Sequence, residues 1–464
     1  MLIRAAEVFG HPVAPIDVRL RHGRIEALGR LTPGPGEPVL DAGGGALLPG
    51  LHDHHIHLMA YAASLGSVRC GPPEVHTAAE LEAALAGAAA GGDGWIRGIG
   101  YHEHVAGDID RHWLDAHAPD RPVRIQHRSG RLWIVNSRGL ERLAAACGPW
   151  ADDGRLFDRD EALRAAIGAS LPPLAAASER LARYGVTGVT DMTAHNGPDA
   201  FAALARLERE GAIRQRLRIA GAAELTTVAG RTDAPDDGPT VGETKIHLHE
   251  SALPPFDAVV AAVRRSHADG RGIAVHCVTE AELVFALAAL REAGARAGDR
   301  IEHASVTPPV LLEQIRALGL TVVTQPNFVT ERGDAYRTDV PETEHGWLYR
   351  GRAFLDAGVP LAGGTDAPFG DADPWRAMHA AVTRRTGSGA VLGEDERLTP
   401  EQALALFLGA SEAPAAPRRI EPGAIADLCL LDVPWAAARE SLSAANVRAT
   451  IVGGRVIWQR LQPG

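Results

Sequence analysis

Of the chain's 47 lysine and arginine residues, only Lys245 is a lysine. A sequence that writes Arg for every other cation either needs an amine at this position or carries a surface lysine left behind by biased base composition. The two cations differ in chemistry. Arg stays protonated near neutral pH, whereas a buried Lys readily loses its proton. The neutral amine can add carbon dioxide and become a carbamate, an anionic oxygen ligand able to bridge two metal ions. Lys245 lies in Thr-Lys-Ile-His-Leu-His, residues 244–249, whose alternation reads as a strand.

Histidines supply further donors. Residues 49–57 read Pro-Gly-Leu-His-Asp-His-His-Ile-His. Residues two apart on a strand share a face, so His55 and His57 point the same way and make half of a metal site. Asp53 shares that parity and is expected to orient a ligand from behind. His52 and His54 fall on the other parity and are expected to be structural. Farther on, His276 ends Ile-Ala-Val-His, His303 ends Arg-Ile-Glu-His, and Asp366 follows a Gly-Gly bend. Singly, each of these two histidines reads as a neutral core residue and Asp366 as a helix cap. Together, two His, a Lys, a His, a His and an Asp stand in order at the ends of five strands.

The elements that must position them are repeated βα units. The middle of the chain alternates strand-like runs with helical stretches rich in Ala, Leu, Arg and Glu, the pattern of a parallel sheet. Eight strands are expected at 50–57, 186–192, 217–222, 244–249, 273–278, 300–304, 321–325 and 360–366, the number that closes a (β/α)8 TIM barrel. Active sites of such barrels collect at the C-terminal ends of several strands. Two more runs, 95–101 and 121–127, are assigned to an insertion at about 62–175. Helices 80–90 and 283–293 are expected in the outer layer. Both chain ends, 1–50 and 420–464, read as short strands broken by turns, so they are expected to meet in one small β-sandwich flanking an α/β barrel domain at 51–419.

A chain of 464 residues has room for both parts. A net charge of −11 gives no support to nucleic-acid binding. Cys70, Cys147, Cys277 and Cys429 form no CxxC pair, so neither a zinc ribbon nor a redox motif is indicated. No long apolar run marks a signal peptide or a membrane span. The expectation is a cytoplasmic protein acting on a small molecule, with a homodimer as the candidate assembly.

The order of the donors resembles the amidohydrolase superfamily, and residues 421–432, Glu-Pro-Gly-Ala-Ile-Ala-Asp-Leu-Cys-Leu-Leu-Asp, look like its returning β-domain. Asp-Arg-Pro-Val at 120–123, Trp-Ile-Val-Asn-Ser at 133–137, Arg-Ile-Glu-His at 300–303 and Gly-Thr-Asp-Ala-Pro at 364–368 resemble its amidohydrolase 3 branch, which holds formamide deformylase-like enzymes. The resemblance spans nearly the whole chain. It implies that His55 and His57 bind one metal and His276 and His303 a second, that carboxylated Lys245 bridges them, and that Asp366 binds a metal and holds the nucleophilic water. Two segments depart from the branch. Ser-Gly-Arg at 129–131 stands where relatives carry Asp-Gly-His, and Ile-His-Leu-His-Glu at 246–250 replaces Phe-x-Asp-Gly.

Histidine and carboxylate donors suit zinc and tolerate manganese, iron or cobalt, as one ion or two. The expected activity is hydrolysis of a C–N bond in an amide, N-formyl group or cyclic amide. Asp366 would take the water proton and return it to the leaving amine. Deamination of a heterocycle, lactone hydrolysis and a scaffold without catalysis are the alternatives. Arg131, Trp133, Asn136, Gln325 and Asn327 are candidates for substrate contact or, equally, for packing and capping. The insertion, with Trp95, Tyr101, His102, His104 and Trp113, is expected to form a lid or wall, in which Arg131 favours an anionic or carbonyl group.

Overall fold

The computed structural model describes residues 1–13, 15–72, 74–88, 94–144, 152–168, 171–228 and 238–460. Cys147 and the end of the expected helix 80–90 lie outside them. The chain divides into two compact units, residues 1–58 with 177–464, and residues 59–176.

In the first unit eight parallel strands run in the order expected of a barrel: β1 (Leu51–Ile56), β2 (Val186–Asp191), β3 (Arg216–Gly221), β4 (Thr240–His247), β5 (Ile273–Cys277), β6 (Arg300–His303), β7 (Thr321–Thr324) and β8 (Leu361–Gly363). Each pairs in parallel with the next. β4 begins four residues earlier than its alternation indicated, because Thr240 and Val241 pair with β3 before the polar–apolar pattern starts.

The seam between β8 and β1 is closed by side chain as well as backbone. Asp366 N–H donates to His55 O at 2.7 Å, and His57 N–H donates to Ala367 O at 2.9 Å. The Asp53 carboxylate accepts from Thr365 N at 3.0 Å and from Thr365 Oγ1 at 2.5 Å. Gly364 permits this approach: a Cβ there would stand 2.4 Å from His55 Cβ, closer than packed atoms can sit.

Inside the barrel, Arg218 pairs with Glu243 at 3.1 Å and Arg300 with Glu302 at 2.5 Å. His52 lies 2.9 Å from Thr190 Oγ1 and stacks on His54. Gly188 makes room for His52, since a Cβ would meet its ring nitrogen at 2.5 Å. The surrounding helices include Glu280–Ala293, started by a capping box of Thr279 and Glu282.

The two chain ends share one folded sheet, Arg455–Gln459, Val447–Val452, Leu428–Leu431, Ala46–Pro49, Leu2–Val8, Ile16–Arg21 and Arg24–Gly29 in order, with Val39–Asp41 beside Leu2–Val8. Strand Leu2–Val8 turns at Ala5, whose φ is 52°. Its first half pairs with Val39–Asp41 and its second with Ala46–Pro49. The sheet thereby wraps a core that includes Ile3, Val18, Ile25, Leu47, Leu428 and Ile451.

The 59–176 unit has its own five-stranded sheet, Arg155–Phe157, Leu132–Val135, Val123–His127, Ile96–Tyr101 and Val68–Arg69. Helix Ala78–Ala86 belongs to this unit and not to the barrel's outer layer, because Leu81 and Leu85 bury against its core. Cys70, Cys277 and Cys429 are buried and unbridged. Among the described residues no helix is long and apolar enough to cross a membrane.

Candidate metal centre

The C-terminal ends of β1, β4, β5, β6 and β8 bring the six sequence-selected donors to one end of the barrel. His57 Nε2 stands 3.1 Å and His55 Nε2 3.5 Å from Asp366 Oδ1. These three residues offer ligand atoms that all lie within 4.8 Å of one another, the spacing of groups around a cation. The His303 ring is 4.8 Å from His55 and 4.4 Å from His276, centroid to centroid. Lys245 is 7% exposed, and its Nζ has no hydrogen-bond partner.

The hydrogen bonds decide which nitrogen of His55 and of His303 is free. His55 Nδ1 donates to Glu302 Oε2 at 2.5 Å. His303 Nδ1 donates to Gln325 Oε1 at 2.7 Å. His57 Nδ1 lies 3.1 Å from the Thr193 hydroxyl, which can accept. With the proton on Nδ1, the Nε2 lone pair is free for a metal, the usual arrangement of a ligand histidine. Burial keeps His55, His276 and His303 neutral. It pushes His55 and His276 well below the ordinary histidine range and His303 down to about 4. Burial alone would raise the Asp366 carboxyl; an N–H of His57 turned toward it and proton charge on the neighbouring imidazoles would bring it below the ordinary range. Burial also brings the Lys245 amine down to about 8, against the pull of Glu302. Neutral imidazoles, an ionised carboxylate and an amine near neutrality therefore fit a divalent cation.

Backbone strain sits at the same place. His303, Ala304 and Asp366 have φ of 70°, 48° and 57°, a region that non-glycine residues avoid and that recurs at functional sites.

A second group, His102, Glu103 and His127 in the 59–176 unit, has the same spacing but the opposite protonation pattern. His104 N–H donates to His102 Nδ1 at 3.2 Å, and Ser129 N–H donates to His127 Nδ1 at 3.1 Å. Both protons therefore sit on Nε2 and face Glu103 Oε2, at 3.5 and 3.2 Å. This is a carboxylate clasped by two donors, with no lone pair turned toward a cation.

The other sequence-selected residues are engaged within the protein. Gln325 faces His303, and Asn327 donates to Thr365 O at 3.1 Å, so both brace the site. Asn136 caps its own unit, accepting from Val123 N and Gly139 N and donating to Arg121 O. Trp133 is buried in that unit's core, as are Trp95 and Tyr101. Arg131 pairs with Asp158 at 2.5 Å on an exposed surface. Asp53 was expected behind an imidazole; its carboxylate instead binds Thr365 and the His55 backbone N–H. Glu302, Arg300 and Thr193 were missed. Glu302 is held by Arg300, whose guanidinium also donates to His54 O.

A parallel eight-stranded barrel with this donor set at its C-terminal end defines a hydrolase of the amidohydrolase family. The chain belongs to that family: its model matches residues 38–458. The chain is 26% identical to N-substituted formamide deformylase of Arthrobacter pascens, over 94% of each. Solved structures of uncharacterized metal-dependent hydrolases from Pyrococcus horikoshii OT3 and Pyrococcus furiosus share the fold. Their TM-scores are 0.75 and 0.72 at 22% and 24% identity. The matches cover 93% of this chain, and 97% and 98% of theirs.

Proposed function

We propose that this chain hydrolyses a C–N bond of a small amide, N-formyl compound or cyclic amide, using two zinc ions held by His55, His57, His276, His303, Asp366 and a carboxylated Lys245. The observation that carries this reading is the buried Lys245 Nζ without a partner, beside imidazoles whose Nδ1 protons are already taken up. Burial disfavours an ammonium in such a place, even against the pull of Glu302 and Asp366. Adding carbon dioxide to the neutral amine forms an N–C bond, releases one proton and leaves a carbamate anion. That exchanges a desolvated cation for a ligand.

Divalent cations in this set supply Lewis acidity for a carbonyl and acidify water to a pKa of about 7. Asp366, a carboxylate 3.1 Å from His57, would take the water proton and pass it to the departing nitrogen. Glu302, Gln325 and Thr193 keep the rings oriented while this happens. The name of the Arthrobacter relative puts N-substituted formamides first among the candidate substrates.

The test joins metal analysis of the wild type and Lys245→Arg with a substrate panel of formamides, amides, cyclic amides, lactones and aminated heterocycles. The expected result is two ions per wild-type chain, fewer in the variant, and turnover confined to the C–N substrates that release an amine from a carbonyl. Turnover of lactones alone or deamination alone would overturn the amide assignment, and a loaded enzyme with unmodified Lys245 would overturn the bridge.

A further inference from the structure

Two imidazoles at the barrel's C-terminal end take no part in the chemistry proposed above. His247 and His249 follow Lys245 at intervals of two, at and just beyond the end of β4. The His247 ring lies 4.1 Å from His276 and 4.4 Å from His249, and His249 lies 6.4 Å from His276. Continued through His303, His55 and His57, at ring distances of 4.4, 4.8 and 5.4 Å, the rings form one unbroken arc of six.

His247 is exposed and His249 half-buried. Among the described residues neither ring has a hydrogen bond to protein, and neither joins a set of converging donors. Their position is nonetheless built. The buried Glu282 carboxylate accepts from Glu250 N at 2.9 Å through one oxygen, and from Val278 N at 2.8 Å and Thr279 N at 3.2 Å through the other. One side chain thus ties the segment after His249 to the segment after His276. A neutral imidazole carries one N–H donor, and a donor covered by a ligand without an acceptor is penalised by about 1–3 kcal/mol. Two such donors, on a segment tied at Glu282, favour a ligand that offers oxygen on this side of the centre.

We propose that His247 and His249 are specificity-determining residues that hold a hydrogen-bond-accepting oxygen substituent of the substrate, carboxylate or carbonyl, on the His276 side of the scissile bond. This rests on the hydrolase reading above and narrows its substrate class.

Three hydroxamic acids of equal length, ending in a carboxylate, a carboxamide or a methyl group, bind metal through the same head and need no turnover. They are titrated by calorimetry into zinc-loaded wild type, His247→Ala and His249→Ala, with metal content measured in parallel. Both variants should keep wild-type metal content and bind the methyl compound within about twofold of wild type. They should bind an oxygen-ended compound at least about tenfold more weakly, which is roughly 1.4 kcal/mol. Loss on the carboxylate alone, shrinking with salt, identifies an anion; loss on both identifies a carbonyl acceptor. His249→Gln, which retains an N–H donor, should keep most of the preference. Equal weakening of all three compounds, no weakening, or lowered metal content overturns the proposal. Wild type that binds the methyl compound without any preference overturns the proposal alone. Wild type that binds none of the three overturns the metal centre and the proposal together.

Discussion

Lys245→Met should make the metal-free protein more stable at neutral pH while removing its activity when metal is supplied. Lys245 is 7% exposed, its Nζ has no hydrogen-bond partner among the described residues, and burial brings the amine from 10.5 to about 8. One pKa unit is worth 1.36 kcal/mol, so the difference of 10.5 − 8 = 2.5 means that folding disfavours the ammonium by about 3 kcal/mol. The sign follows from proton counting. Because the folded pKa is depressed, the unfolded chain holds more protons between about 8 and 10.5, and stability rises with pH across that window. Below about 8 the destabilisation is complete; above 10.5 it is gone. Methionine has similar bulk and no charge. Urea unfolding of metal-free, bicarbonate-depleted protein should find the variant more stable by up to about 3 kcal/mol near neutrality. The gap should narrow steadily above about pH 8. A variant less stable than wild type at neutral pH, or a gap indifferent to pH, would refute the claim that burial makes the Lys245 ammonium destabilising.

Asp366→Asn should preserve the fold and much of the zinc binding but lower kcat by about 10²–10⁴-fold, since Asn cannot accept a proton; steady-state kinetics showing less than a tenfold drop would contradict the assigned role. Glu302→Gln loosens the His55 ring and should weaken zinc binding by about 10–100-fold in a competitive chelator titration, with unchanged affinity counting against it. Gly364→Ala places a methyl group 2.4 Å from His55 Cβ. It should lower unfolding free energy by about 1–3 kcal/mol or more, measured by denaturant titration, and weaken zinc binding with it.

The candidate donors were legible because they lie at or near the C-terminal ends of strand-like runs, and alternation of strand and helix points to a barrel whichever residues pack it. Their supports were not. Glu302 reaches His55 across 247 residues of sequence, a contact created by closing the sheet and invisible to local periodicity. Parity also failed near Asp53. The β1–β2 register slips between Asp53 and Ile56, so side-chain direction there does not follow simple alternation. His52 meets Thr190 and stacks on His54, yet the glycine that admits His52 lies on β2 and gives no sign in the β1 sequence. Tryptophans of the 59–176 unit looked like substrate contacts because aromatic residues serve both purposes; burial in that unit's own core is a property of the assembled sheet.

The β8–β1 seam has a consequence for how the chain is made. Asp53 and Thr365 are 312 residues apart, so β1 leaves the ribosome long before the strand that will complete it. Until Thr365 arrives, the nascent sheet presents two unpaired edges, β1 and the latest strand, and such edges recruit other strands. Translational arrest or proteolysis before residue 365 should therefore yield aggregating fragments in place of a smaller working enzyme. Supplying the missing C-terminal piece in trans, with its own half of the seam, is the rational way to rescue them.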